Sequence, residues 1–300
     1  MEIGIGIGTA TDVAAAAREA EELGFAAVHC GEHLFFHGPT PQALAPLAVA
    51  AAATEHVRLV SAVTLLPLYP AAVIAKLATV VDIASDGRLE LGLGVGGEFP
   101  KEFAAAGVDV AERAARADEA LEILRVLFSG EAVTYRGRWA KLNDVTLQPP
   151  PVQPGGPRIW MAGRKGTALR RAGRHADVWM PYMVTSEMFG DGLTAVRSAA
   201  ADAGRRPEAV DGALYALVSV SMDGAAARRQ AADFAGRIYR QPAQRFARYV
   251  IAGTPEECAS QLTEFERSGA SSAQLTVAAP PEAHESVLRL LATEVVPAVA

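Results

Sequence analysis

Short β-branched runs alternate with Ala- and Leu-rich stretches along most of the chain. Ile3, Ile5 and Ile7 recur with period two, the spacing of one face of a strand. Thr11-Asp12 then offers an N-cap to a helical stretch ending at Leu23, with Gly24 as its C-cap. The pattern repeats as strand 26–30 with helix 42–54, strand 57–63 with helix 71–84, and strand 89–93 with helix 112–128. There the rhythm breaks. Residues 132–148 hold two strand-like pieces, 133–135 and 139–142, around Arg136-Gly137, as in a hairpin. Pro149-Pro150-Pro151 and Pro154-Gly155-Gly156-Pro157 predict rigid loop. Alternation resumes as strand 158–161 with helix 167–175 and strand 178–180 with helix 187–203. Strand 213–222 follows with helical material to Val250, then helix 255–268, strand 274–278 and helix 282–296.

Eight strands separated by helices imply parallel pairing through right-handed crossovers. Eight such units in 300 residues suit a closed (β/α)₈ TIM barrel with a hairpin-like insertion after the fourth βα unit. An open doubly wound sheet is the competing arrangement. The Pro/Gly stretch at 149–157 reads as a loop inside one domain spanning 1–300, not as a linker.

Charge and composition narrow the function. The chain carries 28 Lys and Arg against 34 Asp and Glu, a net charge of −6. That balance argues against a nucleic-acid partner, which would call for a basic excess. With 50% hydrophobic and 21% charged residues, the chain is not a disordered one. Cys30 and Cys258 alone suit a reducing compartment. An acidic start at Glu2 lacks the basic region of an export signal, and Pro46, Pro67 and Pro70 interrupt the longest apolar runs. A cytoplasmic protein with no membrane partner is the expectation.

Three motifs hold candidate chemistry. His29-Cys30-Gly31-Glu32-His33 matches H-x-x-E-H, which on a helix would aim two imidazoles at a zinc ion and suggest a hydrolase. Here it closes a strand and Gly31 interrupts it, so no metal site is expected, and Glu32 and His33 fall on the catalytic rim instead. Gly92-Leu-Gly94-Val-Gly96-Gly97 contains G-x-G-x-x-G, but no acidic residue ends a strand about twenty residues on, as a dinucleotide site would have. Gly94, Gly96 and Gly97 read better as a wall that a flat ring can approach, with plain turn geometry as the alternative. Ala162-Gly163-Arg164-Lys165 joins a strand to a helix start, where free N–H groups and two cations suit a phosphate. Solvated surface cations are the alternative there.

These residues together resemble the luciferase-like flavin and deazaflavin oxidoreductases. The matching pieces run from Glu22-Leu-Gly-Phe25 and Glu32-His33 through Pro70-Ala-Ala-Val-Ile-Ala-Lys76 and Ser85-Asp-Gly-Arg-Leu-Glu-Leu-Gly92. They continue through the Glu112–Glu119 stretch, Arg136-Gly-Arg138, Pro157-Arg-Ile-Trp-Met-Ala-Gly163 and Ala176-Asp-Val-Trp179 to Gly253-Thr-Pro-Glu256 and Glu294-Val-Val-Pro297. The resemblance implies a (β/α)₈ barrel with an isoalloxazine-type ring across its mouth. That ring would rest on a bulge at Ala62-Val63-Thr64, often holding a non-proline cis peptide, with its phosphate at Gly163-Arg164-Lys165. It implies His33 as active-site acid–base, with Glu32 where deazaflavin members often carry Asp, and a substrate pocket lined by Phe35, Phe36, Trp179 and Tyr182. It also implies a homodimer acting on a small molecule. Coenzyme F420 is the favoured cofactor, with arginines 237, 240, 245 and 248 available to its polyanionic tail. FMN, in a monooxygenase, is the alternative, and a non-catalytic flavoprotein is the blandest reading.

Overall fold

The computed structural model describes residues 1–8 and 10–299. Eight parallel strands close on themselves: β1 (Glu2–Gly6), β2 (Ala27–Cys30), β3 (Arg58–Ser61), β4 (Leu89–Gly94), β5 (Arg158–Ala162), β6 (Val178–Met180), β7 (Asp211–Val220) and β8 (Ala270–Val277). Each pairs with the next, and β8 returns to β1 in the register Glu2↔Ser272 to Ile5↔Leu275. Closure excludes the open sheet. Period two sorts the side chains. Val178 and Met180 face the interior with Val60, Trp160 and Ala213, while Ile3, Ile5, Leu59 and Leu89 face the helical layer. The glycines between the isoleucines of β1 point inward, where a Cβ at Gly6 would meet His29 and Thr276 at 3.1 Å.

Helices cover the barrel close to the expected places. Asp12 caps the first, Val13–Glu22, by accepting from Ala15 N–H at 2.9 Å, and Ala71–Ala84 spans the predicted residues. Four local differences have local causes. The run predicted at 57–63 is split: β3 stops at Ser61, the Ala62–Val63 peptide is cis, and Thr64–Leu65 pairs separately with Leu93–Gly94. The hairpin is antiparallel as expected, Val133–Arg136 with Lys141–Val145. Its second strand starts late because the Glu119 carboxylate takes the N–H groups of Arg138, Trp139 and Ala140 at 2.7–2.9 Å. The material after β7 is helical only over Gly224–Tyr239. Arg240 then adopts φ +50°, and a turn leads to a short strand, Ile251–Gly253, beside β7. A short helix, Pro100–Ala105, follows β4 where none was predicted. The proline-rich loop is pinned by buried Asp82, which accepts from the N–H groups of Val152 (2.7 Å) and Gln153 (3.2 Å). Among the described residues no helix is long and apolar enough to cross a membrane.

Candidate active site

The C-terminal ends of β2, β3 and β4 form one side of the barrel mouth. Glu32, just past β2, is buried (4% exposed). Its Oε1 accepts from Leu65 N–H at 2.8 Å, and its Oε2 accepts from Ala43 N–H and the Gln42 amide, both at 3.0 Å. Burial pushes the Glu32 carboxyl upward, and the bonds from Ala43 and Leu65 oppose that shift. The carboxylate therefore latches the loop after the cis Ala62–Val63 bond to the start of helix Leu44–Ala53. It positions the bulge, and both of its oxygens are engaged in doing so. Ala62 and Val63 are partly exposed, whereas Thr64 is enclosed and its hydroxyl has no partner among the described residues.

His33, one residue on, is held from two sides. Its Nδ1 lies 3.1 Å from both oxygens of Glu102, a fully buried carboxylate that also accepts from Leu34 N–H at 3.1 Å. A carboxylate can only accept, so Nδ1 carries the proton and Nε2 is left for the mouth. Phe36 lies flat on the imidazole, ring centres 4.1 Å apart and 13° from parallel. Sequence reasoning missed Glu102 because it sits in the helix not predicted, sixty-nine residues from its partner. Its only local signal was a Glu two places after Pro100, a common helix start.

The loops leaving β4 and β5 run side by side, because those strands pair at Leu93↔Met161. The glycines of the β4 loop are taken up by this chain's own atoms. A Cβ at Gly94 would sit 2.6 Å from Val63 Cγ2, one at Gly96 3.1 Å from the Phe103 ring, and one at Gly97 (φ +111°) 2.5 Å from Arg113 Nε. Turn and packing geometry explains the run, and its wall is already lined. Arg113 donates to Val110 O at 2.7 Å while its buried Nε has no partner among the described residues. Arg164 donates to Met183 O at 2.6 Å and lies over the Tyr182 ring. Lys165 caps helix Gly166–His175 and is exposed. Among the described residues none of these three cations makes an ion pair. A buried guanidinium N–H without a partner, two further cations and a helix start fit an anionic phosphate.

The family model described as luciferase-like monooxygenase matches residues 3–272. The chain belongs to that family. It is 28% identical to a monooxygenase from Streptomyces bottropensis whose crystal structure superposes with a TM-score of 0.86, all of each chain being covered. An F420-dependent secondary alcohol dehydrogenase, solved with an F420–acetone adduct, superposes at 0.87 over 100% of this chain and 99% of that one, at 21% identity. Among curated proteins, the phthiodiolone/phenolphthiodiolone dimycocerosates ketoreductase of Mycobacterium tuberculosis is 29% identical over 244 residues, 66% of this chain. The chain spans 64% of the length of that relative.

In this luciferase-like barrel some expected site residues fall elsewhere. Trp179 does not line the mouth. Its neighbours Val178 and Met180 face inward, so it faces outward, fully buried against Phe189 and donating to Gly163 O at 2.7 Å. Phe35 is 57% exposed and turned to solvent. Tyr182 does sit at the rim, donating its hydroxyl to Glu98. His29 lies inside the barrel with Nε2 3.1 Å from Leu275 O, and burial lowers its pKa to about 4. His29 and His33 thus share no face, and among the described residues no cluster could hold a metal ion. Arginines 237, 240, 245 and 248 are all exposed and among the described residues none is in an ion pair, but they do not share one helix face. Arg237 is on the helix, Arg240 is its left-handed cap, and the other two lie in the turn beyond.

Proposed function

We propose that the chain is an F420-dependent oxidoreductase, exchanging a hydride between the deazaflavin and a small organic substrate. The observation that supports this most is His33, oriented by buried Glu102 with Nε2 unengaged, beside the bulge at 62–64. A bound deazaflavin or flavin supplies the ring atom that gives or takes the hydride. Arg113, Arg164 and Lys165 would hold its phosphate, and Ala62 and Val63 would support its ring. With Nδ1 holding its proton on Glu102, Nε2 of His33 would take the hydroxyl proton of an alcohol as the hydride leaves its carbon, and the resulting imidazolium would return that proton to the carbonyl oxygen in the reverse direction. A carbonyl/alcohol pair is supported by the ketoreductase relatives. The unpaired arginines 237, 240, 245 and 248 favour F420, whose glutamyl tail adds negative charge beyond the phosphate.

The likeness to a Streptomyces monooxygenase at 28% identity supports a second reading, in which reduced FMN and oxygen are used. Oxygen separates the two. With reduced F420 and a ketone under strictly anaerobic conditions, the first reading expects full turnover. Turnover that requires reduced FMN and oxygen together would replace it with the second. The same reading takes a second copy of the chain as partner, supported by an exposed apolar stripe at Val49, Val73, Leu77 and Val80. It places the chain in the cytoplasm.

A further inference from the structure

The opposite side of the mouth, above β6 and β7, is built from aromatic rings. A pocket there is lined by ten residues, all uncharged, chief among them Tyr182, Tyr215, Leu217, Tyr239, Phe246 and Tyr249. The rings continue to the proton donor. Phe36 lies flat on His33, Tyr239 meets the edge of Phe36 at 6.2 Å and 82°, and Phe246 stacks on Tyr239 at 5.3 Å and 24°. Beneath them the Tyr215 hydroxyl pairs with Thr276 at 3.0 Å and its ring meets His29, which burial holds neutral. The nearby charges act from outside the lining: Glu98 on the Tyr182 hydroxyl, Arg248 on that of Tyr249, and Arg164 over the Tyr182 ring with its guanidinium donating to Met183 O.

We propose that the substrate is an uncharged compound whose reacting carbon is carried on a flat aromatic group, which seats between Phe36 and the Tyr239–Phe246 pair. This rests on the oxidoreductase reading for its reacting end, and on the pocket alone for its ring. The pocket is narrow, with about 20 Å³ of room, so a ring-sized guest must part the rings. A flat guest parts them by one ring thickness and lies face-on to one ring and edge-on to the other, aromatic contacts that a puckered aliphatic body cannot make. A charged guest would lose its hydration with no counter-charge in the lining to replace it.

The test is calorimetric titration with 2-acetonaphthone, its saturated analogue 2-acetyldecalin and the anionic 6-acetyl-2-naphthoate, on the cofactor-loaded and the cofactor-free chain. The aryl ketone should bind about tenfold or more tightly than either of the others. Tyr239→Leu and Phe246→Leu should erase the preference, and Tyr239→Phe should keep it. Equal affinity for the saturated or the anionic probe overturns the proposal, as does an undiminished preference in both leucine variants or no aryl binding at millimolar concentration. Should a variant fail to fold, the wild-type panel alone decides. A chain that binds neither cofactor but keeps the aryl preference refutes the oxidoreductase reading and leaves this one standing. A chain that binds a cofactor without the preference does the reverse.

Discussion

The two sides of the barrel mouth differ in how they are held. Around β2, β3 and β4, carboxylates do the fixing: Glu32 ties Leu65 to Ala43, and Glu102 ties His33 to Leu34. Each is a charge-assisted hydrogen bond in a buried setting, which sets atoms to within a few tenths of an ångström. Around β7 the packing is ring on ring, less directional and easier to part, and among the described residues the Tyr239 hydroxyl has no hydrogen-bond partner. A fixed side suits proton handling and a cofactor of constant shape. A yielding side suits the component that differs between members of one family.

The sharpest way to break this contrast is at His33. His33→Ala should lower turnover about 10²–10⁴-fold while cofactor affinity stays within a few-fold, since proton transfer contributes in the transition state. Steady-state kinetics with a parallel cofactor titration checks this, and joint loss of both would make His33 part of the scaffold. Next is the phosphate site. Arg113→Ala, or Arg164→Ala with Lys165→Ala, should weaken cofactor binding about tenfold for each cation removed, most at low salt. A cofactor analogue without the phosphate should be nearly indifferent to either change, and equal weakening for both forms would remove the assignment.

Much of the barrel was readable in the chain. Ile3-Gly-Ile5-Gly-Ile7 and the strand–helix alternation are local patterns that lie where expected, whereas the break at 62–64 was implied only by the family resemblance, the local pattern giving one strand through Val63. Glu102 was not readable, because its role depends on a partner 69 residues away. Trp179 was misjudged for the opposite reason. A three-residue strand gives too few alternations to tell inward from outward, and only its neighbours Val178 and Met180 settle the side. On the yielding side, a turn and a short strand follow Tyr239, where Ala and Arg content suggested continued helix.

Smaller effects sharpen the same contrast. Glu32→Ala would leave the N–H groups of Leu65 and Ala43 unpaired in a buried place, at a cost of about 3 kcal/mol in urea unfolding. Phe246→Leu, on the yielding side, should cost less. His29 adds a pH signature. Its folded pKa of about 4 lies below the ordinary 6.5, so the unfolded chain binds the extra proton between those values and stability falls as pH drops through that window. Between pH 7 and pH 5 the loss should be about 2 kcal/mol. Glu32, pushed upward by burial, works the other way, so the comparison is wild type against His29→Gln, in which the acid-side loss should shrink. Last, light scattering should give twice the chain mass at micromolar concentration, and a monomer there would leave the stripe at Val49 and Val73 without its second copy.

The most direct measurement is paired titration of the purified chain with F420 and with FMN, followed by absorbance and fluorescence. F420 should bind more tightly, with affinity rising with the number of glutamates in its tail and falling with salt as arginines 237, 240, 245 and 248 are screened. Tight FMN binding with oxygen-dependent turnover, and no measurable affinity for F420, would contradict the account and make the chain a flavin monooxygenase.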